Sequence, residues 1–365
     1  MSAEQAVPGA KPAQDERIHR QSMIARTLSR PELGAISGAV IVLLFFALYG
    51  NPAMFQPQGI VNWLDVCAQL GIIAIGACLL MIGGEFDLSL GSMIGFSSAI
   101  LAILIVEADL PVWMALVITV IMSMAIGFSI GVIVVATKLP SFIVTLGFLF
   151  LLRGLMLVSM RTFHGDTQVE GMAALKQTDF VAAMFGGELF SFTGTNVRGN
   201  NVIEITINVP MSVLWWVVLG LLATWVLART RAGNWIYASG GNAASARSVG
   251  VPVAGVKIAL FMVTALCATI FGAIQAFDGG SVDGARGNLK ELEAIAAAVV
   301  GGTLLTGGYG SVVGACIGAL IFGVVAQGFF YTNIDSDWYR VFVGGILLVA
   351  VGFNTFIRRR ATGGL

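Results

Sequence analysis

Long apolar runs recur along most of this sequence, and they restrict its fold more than any other feature. Each run approaches the roughly 20 residues that an α-helix needs to cross a bilayer. Only 11% of the residues are charged and 57% are hydrophobic, whereas soluble domains carry about 25% charged residues. The sequence therefore predicts an all-α integral membrane protein of about ten transmembrane helices. We interpret the following runs as spans: 34–50, 60–82, 92–106, 111–136, 141–160, 211–228, 257–277, 291–305, 311–330 and 338–356.

The distribution of Lys and Arg predicts the orientation of these spans. Basic residues concentrate in the polar segment 1–33, in the loop 229–256 and in the last residues of the chain, 358–365. An even number of spans places these three segments on one side, and the positive-inside rule makes that side the cytoplasm. We therefore expect an N-in, C-in topology with a single transmembrane domain, 34–357, between two cytoplasmic tails. The longest outer loop is then 161–210.

Two glycine-rich stretches interrupt this pattern beside unusually short spans. The stretch 83–91 reads GGEFDLSLG, and the stretch 301–310 reads GGTLLTGGYG. Such interruptions are typical of broken or re-entrant helices, which are tolerated only inside protein or beside a water-filled cavity. A transport path is therefore expected to pass these two places. The loose GG…GS…G pattern that the stretches share does not by itself establish an internal repeat.

The first stretch carries two acidic residues, Glu85 and Asp87. A carboxylate in the middle of a bilayer costs about 2.5–3.5 kcal/mol on insertion scales, so it needs a polar cavity, a partner or an interfacial position. One interpretation makes the pair the lining or gate of a path. The other makes it a cap for the next helix at the cytoplasmic interface, with Asp87 and Ser89 forming a local turn.

The loop 229–256 contains the sequence GGNAASARSVG at 240–250 and no acidic residue. Asn242 is a favoured N-cap, Arg247 stands near the C-terminal end of an alanine-rich body, and Gly250 is a typical stop. These signals predict a two-turn helix over 242–249. A short helix presented to the cytoplasm is a place where another protein can dock.

Small residues at every fourth position form two stripes that favour close helix contact. Packing within one subunit and a homodimer interface both explain such stripes. Their members are Ser123, Gly127 and Gly131 in one, and Gly310, Gly314 and Gly318 in the other.

The sequence contains none of the motifs that are expected for catalysis or metal binding. No Gly-Lys-Ser/Thr phosphate loop occurs, the four cysteines lie in apolar runs without CxxC spacing, and His19 and His164 are solitary. The sequence therefore predicts no catalytic residue, no metal site and no cofactor in this chain. Nucleic acid is not among the expected partners.

Four segments, in order, resemble the permease subunits of ribose-type (simple-sugar) bacterial ABC importers. The resemblance covers most of residues 60–357, and it is specific because all four segments occur together. The chain departs from the common pattern at Glu85-Phe86, where many relatives have Gly-Ile, and at Leu90, where valine is common. The segments are GEFDLSLGS at 84–92, LPSFIVTLG at 139–147 with RGL at 153–155, GGNAASARSVG at 240–250, and ELEAIA at 291–296 leading to GGT at 301–303 and GGYGS at 307–311.

The resemblance implies a permease of the bacterial inner membrane that works as a pair, surrounded by lipid. Two cytoplasmic ATP-binding subunits, which hold ATP and Mg, and a periplasmic sugar-binding protein would complete the importer. It implies that the helix at 242–249 couples to the ATPase, with Gly241, Asn242, Ala246, Arg247 and Gly250 as its docking residues. The candidates for the translocation path or gate are Glu85, Asp87, Ser89, Phe142, Thr145 and Thr303.

Two other functional classes compete with this one. A secondary transporter driven by an ion gradient needs no ATPase and predicts paired ionisable residues at mid-membrane, whereas the pair Glu85 and Asp87 is peripheral. A membrane-embedded enzyme needs a nucleophile–base or metal set, which the sequence does not contain. The sequence does not name the sugar or polyol that an importer of this kind would carry.

Overall fold

The structure is a computed structural model that describes residues 31–198, 201–332, 335, 337–346 and 348–349. The predicted tails at 1–33 and 358–365 lie outside these residues, apart from 31–33, and so does the end of the last predicted span. A helical segment also covers 338–346. The named helices are α1 (Pro31–Tyr49), α2 (Pro57–Ile82), α3 (Leu90–Val106), α4 (Val112–Thr137), α5 (Ser141–Phe163), α6 (Leu175–Thr178), α7 (Phe180–Gly186), α8 (Met211–Arg229), α9 (Arg231–Gly241), α10 (Ala243–Ser248), α11 (Val253–Gly279), α12 (Lys290–Val300) and α13 (Val312–Phe330).

Within the described residues, 6 helices are long and apolar enough to cross a membrane. Two shorter apolar helices, Leu33–Tyr49 and Leu90–Val106, correspond to the first and third predicted spans. The chain is thus mostly helical, as the sequence predicts. The number of ten spans and the N-in, C-in topology stay predictions. The crossing helices are α2, α4, α5, α8, α11 and α13.

α2 ends in a glycine turn at the glycine-rich stretch 83–91, which we call the first break. The N–H of Gly84 donates to the carbonyl of Met81 at 2.9 Å, and the N–H of Glu85 donates to the carbonyl of Leu80 at 3.1 Å. This pair of bonds is a Schellman motif, and it needs a left-handed residue. Gly84, with φ of +84°, supplies it at little steric cost. The chain therefore leaves the helix here and becomes helical again only at Leu90.

α12 ends with the same motif at the glycine-rich stretch 301–310, which we call the second break. The N–H of Gly302 donates to Val299 at 2.9 Å, the N–H of Thr303 donates to Ala298 at 3.0 Å, and Gly302 has φ of +91°. The 11 residues of α12 extend about 16 Å, roughly half of a bilayer core. The helix thus covers only part of the predicted span 291–305. Both breaks begin with the same backbone conformation.

The segment between α7 and α8 contains a β-hairpin that the prediction of an all-α chain does not include. Strand β2 (Glu188–Arg198) pairs antiparallel with β3 (Asn201–Pro210). The apolar residues of β3 alternate, which places them on one face of the strand. Ile207 and Val209 are buried there against Val61 of α2. A second, shorter antiparallel pair joins β1 (Gln168–Val169) to β4 (Val282–Asp283).

α2 lies inside the helix bundle, where it contacts α13, α11, α8 and α12. Its residues 70–82 are all buried, as expected of a helix that is apolar on every side. The helix therefore connects the hairpin end of the bundle to the first break.

The two small-residue stripes pack against backbone of the same chain. A Cβ on Gly127 would lie 2.8 Å from the carbonyl oxygen of Phe261, and one on Gly131 would lie 2.7 Å from the Cα of Ile258. Both partners belong to α11, so glycine lets α4 approach it closely. The second stripe, in and before α13, faces the second break and α12. There, a Cβ on Gly310 would overlap Thr303 and Ile82, one on Gly314 would overlap Gly301, and one on Gly318 would overlap Ala297.

Candidate functional site

The loop between α8 and α11 forms two consecutive helices, α9 and α10. The side-chain oxygen of Asn242 accepts hydrogen bonds from the N–H groups of Ala244 at 3.1 Å and Ser245 at 3.0 Å. Asn242 is therefore both the end of α9 and the N-cap of α10. Gly250, with φ of +86°, turns the chain after α10. The structure thus has a short helix at the place where the capping residues predict one.

The side chains of α10 divide into an inner and an outer group. Ala246 is buried and packs the helix onto its own chain, whereas Arg247 and Val249 are exposed, Val249 by 79%. The Nε of Arg247 donates to the carbonyl of Ala243 at 3.0 Å. An exposed cation near the C-terminal end of a helix is electrostatically favourable. α10 therefore presents an exposed surface with one cation and one apolar side chain.

The first break is fastened to the start of α5 through its backbone. The N–H of Phe86 donates to Ser141 Oγ at 3.0 Å, and the N–H of Leu88 donates to Thr145 Oγ1 at 3.1 Å. The side chain of Phe142, between these two positions, is 52% exposed. Thr145 thus lies beside the break, whereas Phe142 points away from it.

Asp87 and Ser89 form a closed turn within the break. Asp87 Oδ1 accepts from the N–H of Ser89 at 2.8 Å and from its hydroxyl at 2.5 Å, and both residues are buried. This arrangement is the local turn that one interpretation of the sequence predicts. The Asp87 carboxylate therefore holds the backbone that leads into α3.

Glu85 forms an ion pair with Lys257, in the second turn of α11. The side chain of Lys257 is 20% exposed and that of Glu85 is 11% exposed. Two opposite charges in a mostly buried place compensate each other, and either one alone would be costly. The pair joins the end of the cytoplasmic loop predicted at 229–256 to the first break, although 172 positions separate the two residues.

Thr303, in the second break, lies against α2. Its Oγ1 is 3.2 Å from the Sγ of Cys78, and its side chain is buried. Further along this break, the carbonyl of Gly310 accepts a hydrogen bond from the hydroxyl of Tyr237 at 2.9 Å. Tyr237 belongs to α9, so the second break contacts the helix that precedes α10.

Five glycines bring α9 and both breaks into direct backbone contact. We call Gly84, Gly240, Gly241, Gly307 and Gly308 the glycine junction. A Cβ on Gly84 would lie 3.1 Å from Gly240 Cα, one on Gly307 would lie 2.8 Å from Gly84 Cα, and one on Gly308 would lie 2.6 Å from Gly241 Cα. These three distances leave no room for side chains. α9 therefore touches both breaks at once.

The junction joins residues that the sequence assigns to separate roles. Gly241, a predicted docking residue, contacts Gly308 of the second break, and its neighbour Gly240 contacts Gly84 of the first break; neither contact is predicted from the sequence. Three Gly-Gly pairs, at 83–84, 240–241 and 307–308, were the available signal. Of the path candidates, Glu85, Asp87, Ser89 and Thr145 lie together around the first break, and Thr303 lies in the second.

No group of three or more His, Cys, Asp or Glu that could hold a metal ion occurs among the described residues. The four cysteines are free; three are buried and Cys316 is partly buried. The main feature of the site is therefore structural: the exposed short helix α10 follows α9, and the backbone of α9 contacts both breaks.

Comparison of the sequence with known proteins shows which family the chain resembles. The sequence model of the family described as "Branched-chain amino acid transport system / permease component" matches residues 59–351. The xylose transport system permease protein XylH of Escherichia coli is 31% identical over 89% of this chain and 92% of its own length. The ribose import permease protein RbsC of Escherichia coli is 32% identical over 86% and 90%, and that of Bacillus subtilis is 30% identical over 93% and 95%.

The related permeases named above carry sugar names, although the description of the family refers to amino acids. No solved structure matches the chain at a significant level. The match to the family model covers more than half of the chain, and the apolar helices agree with it. The chain therefore belongs to the family of permease subunits of bacterial ABC importers, in the group that contains sugar permeases, and it is a multi-pass protein of the bacterial inner membrane.

Proposed function

We propose that this chain forms the translocation path of an ATP-driven, binding-protein-dependent importer for a monosaccharide or a related polyol. The names of the xylose and ribose permeases support the substrate class. The partners are a cytoplasmic ATP-binding subunit, which holds ATP and Mg, a periplasmic sugar-binding protein and a second copy of the chain. This chain itself carries out no ATP hydrolysis, and the path runs in an N-in, C-in topology.

The observation that carries this proposal is the glycine junction between α9 and the two breaks. α10 docks in a groove of the ATPase, with Arg247 as an ion-pair donor and Val249 as an apolar contact. Because α10 follows α9 directly at Asn242, a displacement of α10 moves the end of α9. The backbone contacts at Gly240 and Gly241 then pass this displacement to both breaks without a compressible side chain between them.

The ion pair between Lys257 and Glu85 provides a second connection on the other side of α10. Lys257 lies near the start of α11, so the first break is held from both ends of the cytoplasmic loop. ATP-driven closure of the ATPases thus shifts the breaks, which line or gate the path, between outward-facing and inward-facing states. Binding energy at the ATPase can change this equilibrium only because α10 has different contacts in the two states.

The first test is purification of the tagged chain from its native membranes in mild detergent, with mass spectrometry of the associated proteins. A P-loop ATPase is expected to co-purify, and Arg247→Glu is expected to reduce its yield at least tenfold, since it replaces an ion pair by repulsion. Arg229→Glu is the matched control, because this exposed arginine lies in the same loop outside α10. Equal ATPase yields from both variants would contradict docking at α10.

The alternative transport mechanism is a secondary transporter driven by an ion gradient. It predicts that the chain purifies without an ATPase and, in proteoliposomes, transports a small polar solute when an ion gradient is imposed and ATP is absent. Uptake that requires ATP and a co-purified ATPase contradicts this alternative. The same preparation therefore distinguishes the two mechanisms.

A further inference from the structure

A chain of side-chain hydrogen bonds links α8, α2 and α11 to the loop that follows α11. The Nε2 of Gln69 donates to Asp65 Oδ2 at 3.0 Å, and the Nε2 of Gln275 donates to Gln69 Oε1 at 3.2 Å. At one end Ser212 donates to Asp65 Oδ1 at 2.5 Å, and at the other Arg286 Nη1 donates to Gln275 Oε1 at 3.4 Å. We call these five residues the polar chain.

The two ends of the polar chain are held more firmly than its middle. Arg286 Nη2 also donates to the carbonyl of Ser281 at 2.6 Å and pairs with Asp283 at 3.3 Å. The two bonds of the Gln275 side chain, at 3.2 and 3.4 Å, are longer than the usual 2.9–3.0 Å for N–H···O bonds. Weak bonds between firmly held ends are the ones that a ligand can replace most easily.

The Nε of Arg286 points to the same conclusion. This nitrogen is buried and has no hydrogen-bond partner among the described residues, whereas buried polar groups normally have one. The guanidinium that donates to Gln275 through Nη1 therefore has one N–H that is not paired within the described residues. A ligand hydroxyl beside Gln275 can donate to the amide oxygen and accept from the amide nitrogen.

The polar chain lies between helices of the bundle and is not fully covered by them. Gln69 lies about 18 Å along α2 from its start at Pro57, and α2 is surrounded by α13, α11, α8 and α12. Asp65, Gln69 and Gln275 are nevertheless partly exposed. Polar side chains at this depth are placed toward a water-filled cavity and away from lipid. The open side of the polar chain is therefore expected to face the path.

We propose that Gln69 and Gln275 form a station that binds the hydroxyl groups of the sugar during translocation, with Asp65 and Arg286 positioning the two amides. This inference rests on the proposed function. Each amide offers donors and an acceptor, and each sugar hydroxyl both donates and accepts, so the sugar exchanges bonds with the chain without leaving a polar group unpaired.

The station is weak because transport requires release. A solute must bind well enough to enter and loosely enough to leave. Two amides that already bond to each other lose one bond for each bond they gain from the sugar, so the net gain is small. The station therefore orients the sugar during its passage without retaining it.

The experiment measures uptake of radiolabelled D-xylose and D-ribose, which differ in the configuration of one hydroxyl, in cells that express the chain with its partner subunits. Gln69→Leu and Gln275→Leu are each expected to lower uptake about tenfold, the effect of losing about one hydrogen bond. They are also expected to change the ratio of xylose to ribose uptake at least threefold, because the lost bond contacts the two epimers differently.

Gln58→Leu is the matched control. Gln58 lies on the same helix and donates to Asn62 at 2.9 Å with the same spacing of four residues, but it is outside the polar chain. This control is expected to keep both the uptake and the ratio of the unmodified chain. Co-purification of the ATPase with each leucine variant reports whether the importer still assembles.

Three outcomes overturn the proposal. Unchanged uptake by both leucine variants overturns the station directly. Equal loss of both sugars together with a reduced yield of assembled importer means that the polar chain only holds helices together. If the unmodified chain imports neither sugar while its ATPase co-purifies, the station as a binding place for pentose hydroxyls is overturned, whereas the importer function stands.

Discussion

The N–H of Gly308 donates a hydrogen bond of 2.8 Å to the carbonyl oxygen of Ile82, the last residue of α2. This single bond fastens the second break to the start of the first. A Cβ on Gly240 would overlap the same carbonyl and would lie 2.7 Å from the nitrogen of Gly308. The end of α9 therefore packs directly against the hydrogen bond that joins the two breaks, and any side chain at position 240 must disturb this bond.

Gly240→Ala is expected to reduce transport at least tenfold. The added methyl group cannot be accommodated without shifting α9 away from the breaks, which costs about 1–3 kcal/mol as overpacking. α10 keeps its own residues and cap, so the ATPase is expected to co-purify as before. ATP-dependent sugar uptake by proteoliposomes measures the effect.

Gly255→Ala is the control for this substitution. Gly255 is also a helical glycine near the predicted cytoplasmic loop, but a Cβ there meets nothing within 4 Å. Alanine gains about 1 kcal/mol of helix propensity over glycine, so normal or slightly higher stability and normal uptake are expected. If Gly240→Ala transports as well as Gly255→Ala, the junction does not transmit movement.

Glu85→Gln is expected to destabilise the protein by about 3 kcal/mol, since it leaves the mostly buried Lys257 without its partner. Lys257→Met is expected to have a similar cost for the same reason. The double variant removes both charges and is expected to recover more than half of the loss. Thermal unfolding of the purified protein in detergent measures the free energy of each variant.

This double-mutant cycle isolates the ion pair from other effects of the substitutions. Costs that simply add in the double variant would mean that Glu85 and Lys257 act independently, contrary to the geometry. Transport by the stable double variant then tells whether the pair serves coupling as well as stability, because the loop and the break are no longer joined there.

Asn242→Ala is expected to weaken association with the ATPase by about fivefold. The substitution removes the acceptor for Ala244 and Ser245 and costs about 1 kcal/mol of α10 stability. Asn242→Ser retains a capping oxygen and is expected to associate almost normally. The measurement is the yield of co-purified ATPase, and equal yields from the alanine and serine variants would be the contrary result.

The sequence predicted those features of the site that depend on neighbouring residues. The cap at Asn242, the turn at Gly250 and the breaks after Gly83 and Gly301 all follow from local backbone preferences, which a short window of sequence contains. The hairpin could have been predicted as well. Ile205, Ile207 and Val209 alternate with polar residues, the period of a strand, although they follow a long polar stretch.

The contacts between distant segments could not be predicted in this way. Lys257 and Glu85 are both charged residues beside apolar helices, and nothing in their local sequence shows that they pair. The glycine junction depends on how α2, α9 and α12 pack, and a Gly-Gly pair has the same appearance whether it ends a helix or touches another backbone. Gln69 and Gln275 lie inside apolar runs that the sequence predicts as spans.

Gly314→Leu is expected to lower the yield of folded protein severely, because Gly314 packs directly on the backbone of Gly301. A leucine side chain there would push α13 away from the second break and from α12, a strain well above the usual 1–3 kcal/mol of overpacking. The defect is expected within a single chain, since both partners belong to it. Size-exclusion chromatography of a fluorescent fusion in detergent measures the folded fraction.

Gly147→Leu separates this effect from the general consequence of placing leucine in a membrane helix. Gly147 lies in α5, and a Cβ there meets no atom within 4 Å, so a leucine extends into free space and folding is expected to be normal. If Gly314→Leu instead yields folded monomers that no longer form pairs, the stripe serves the contact between two copies. That result would move its role from packing within the chain to the homodimer interface.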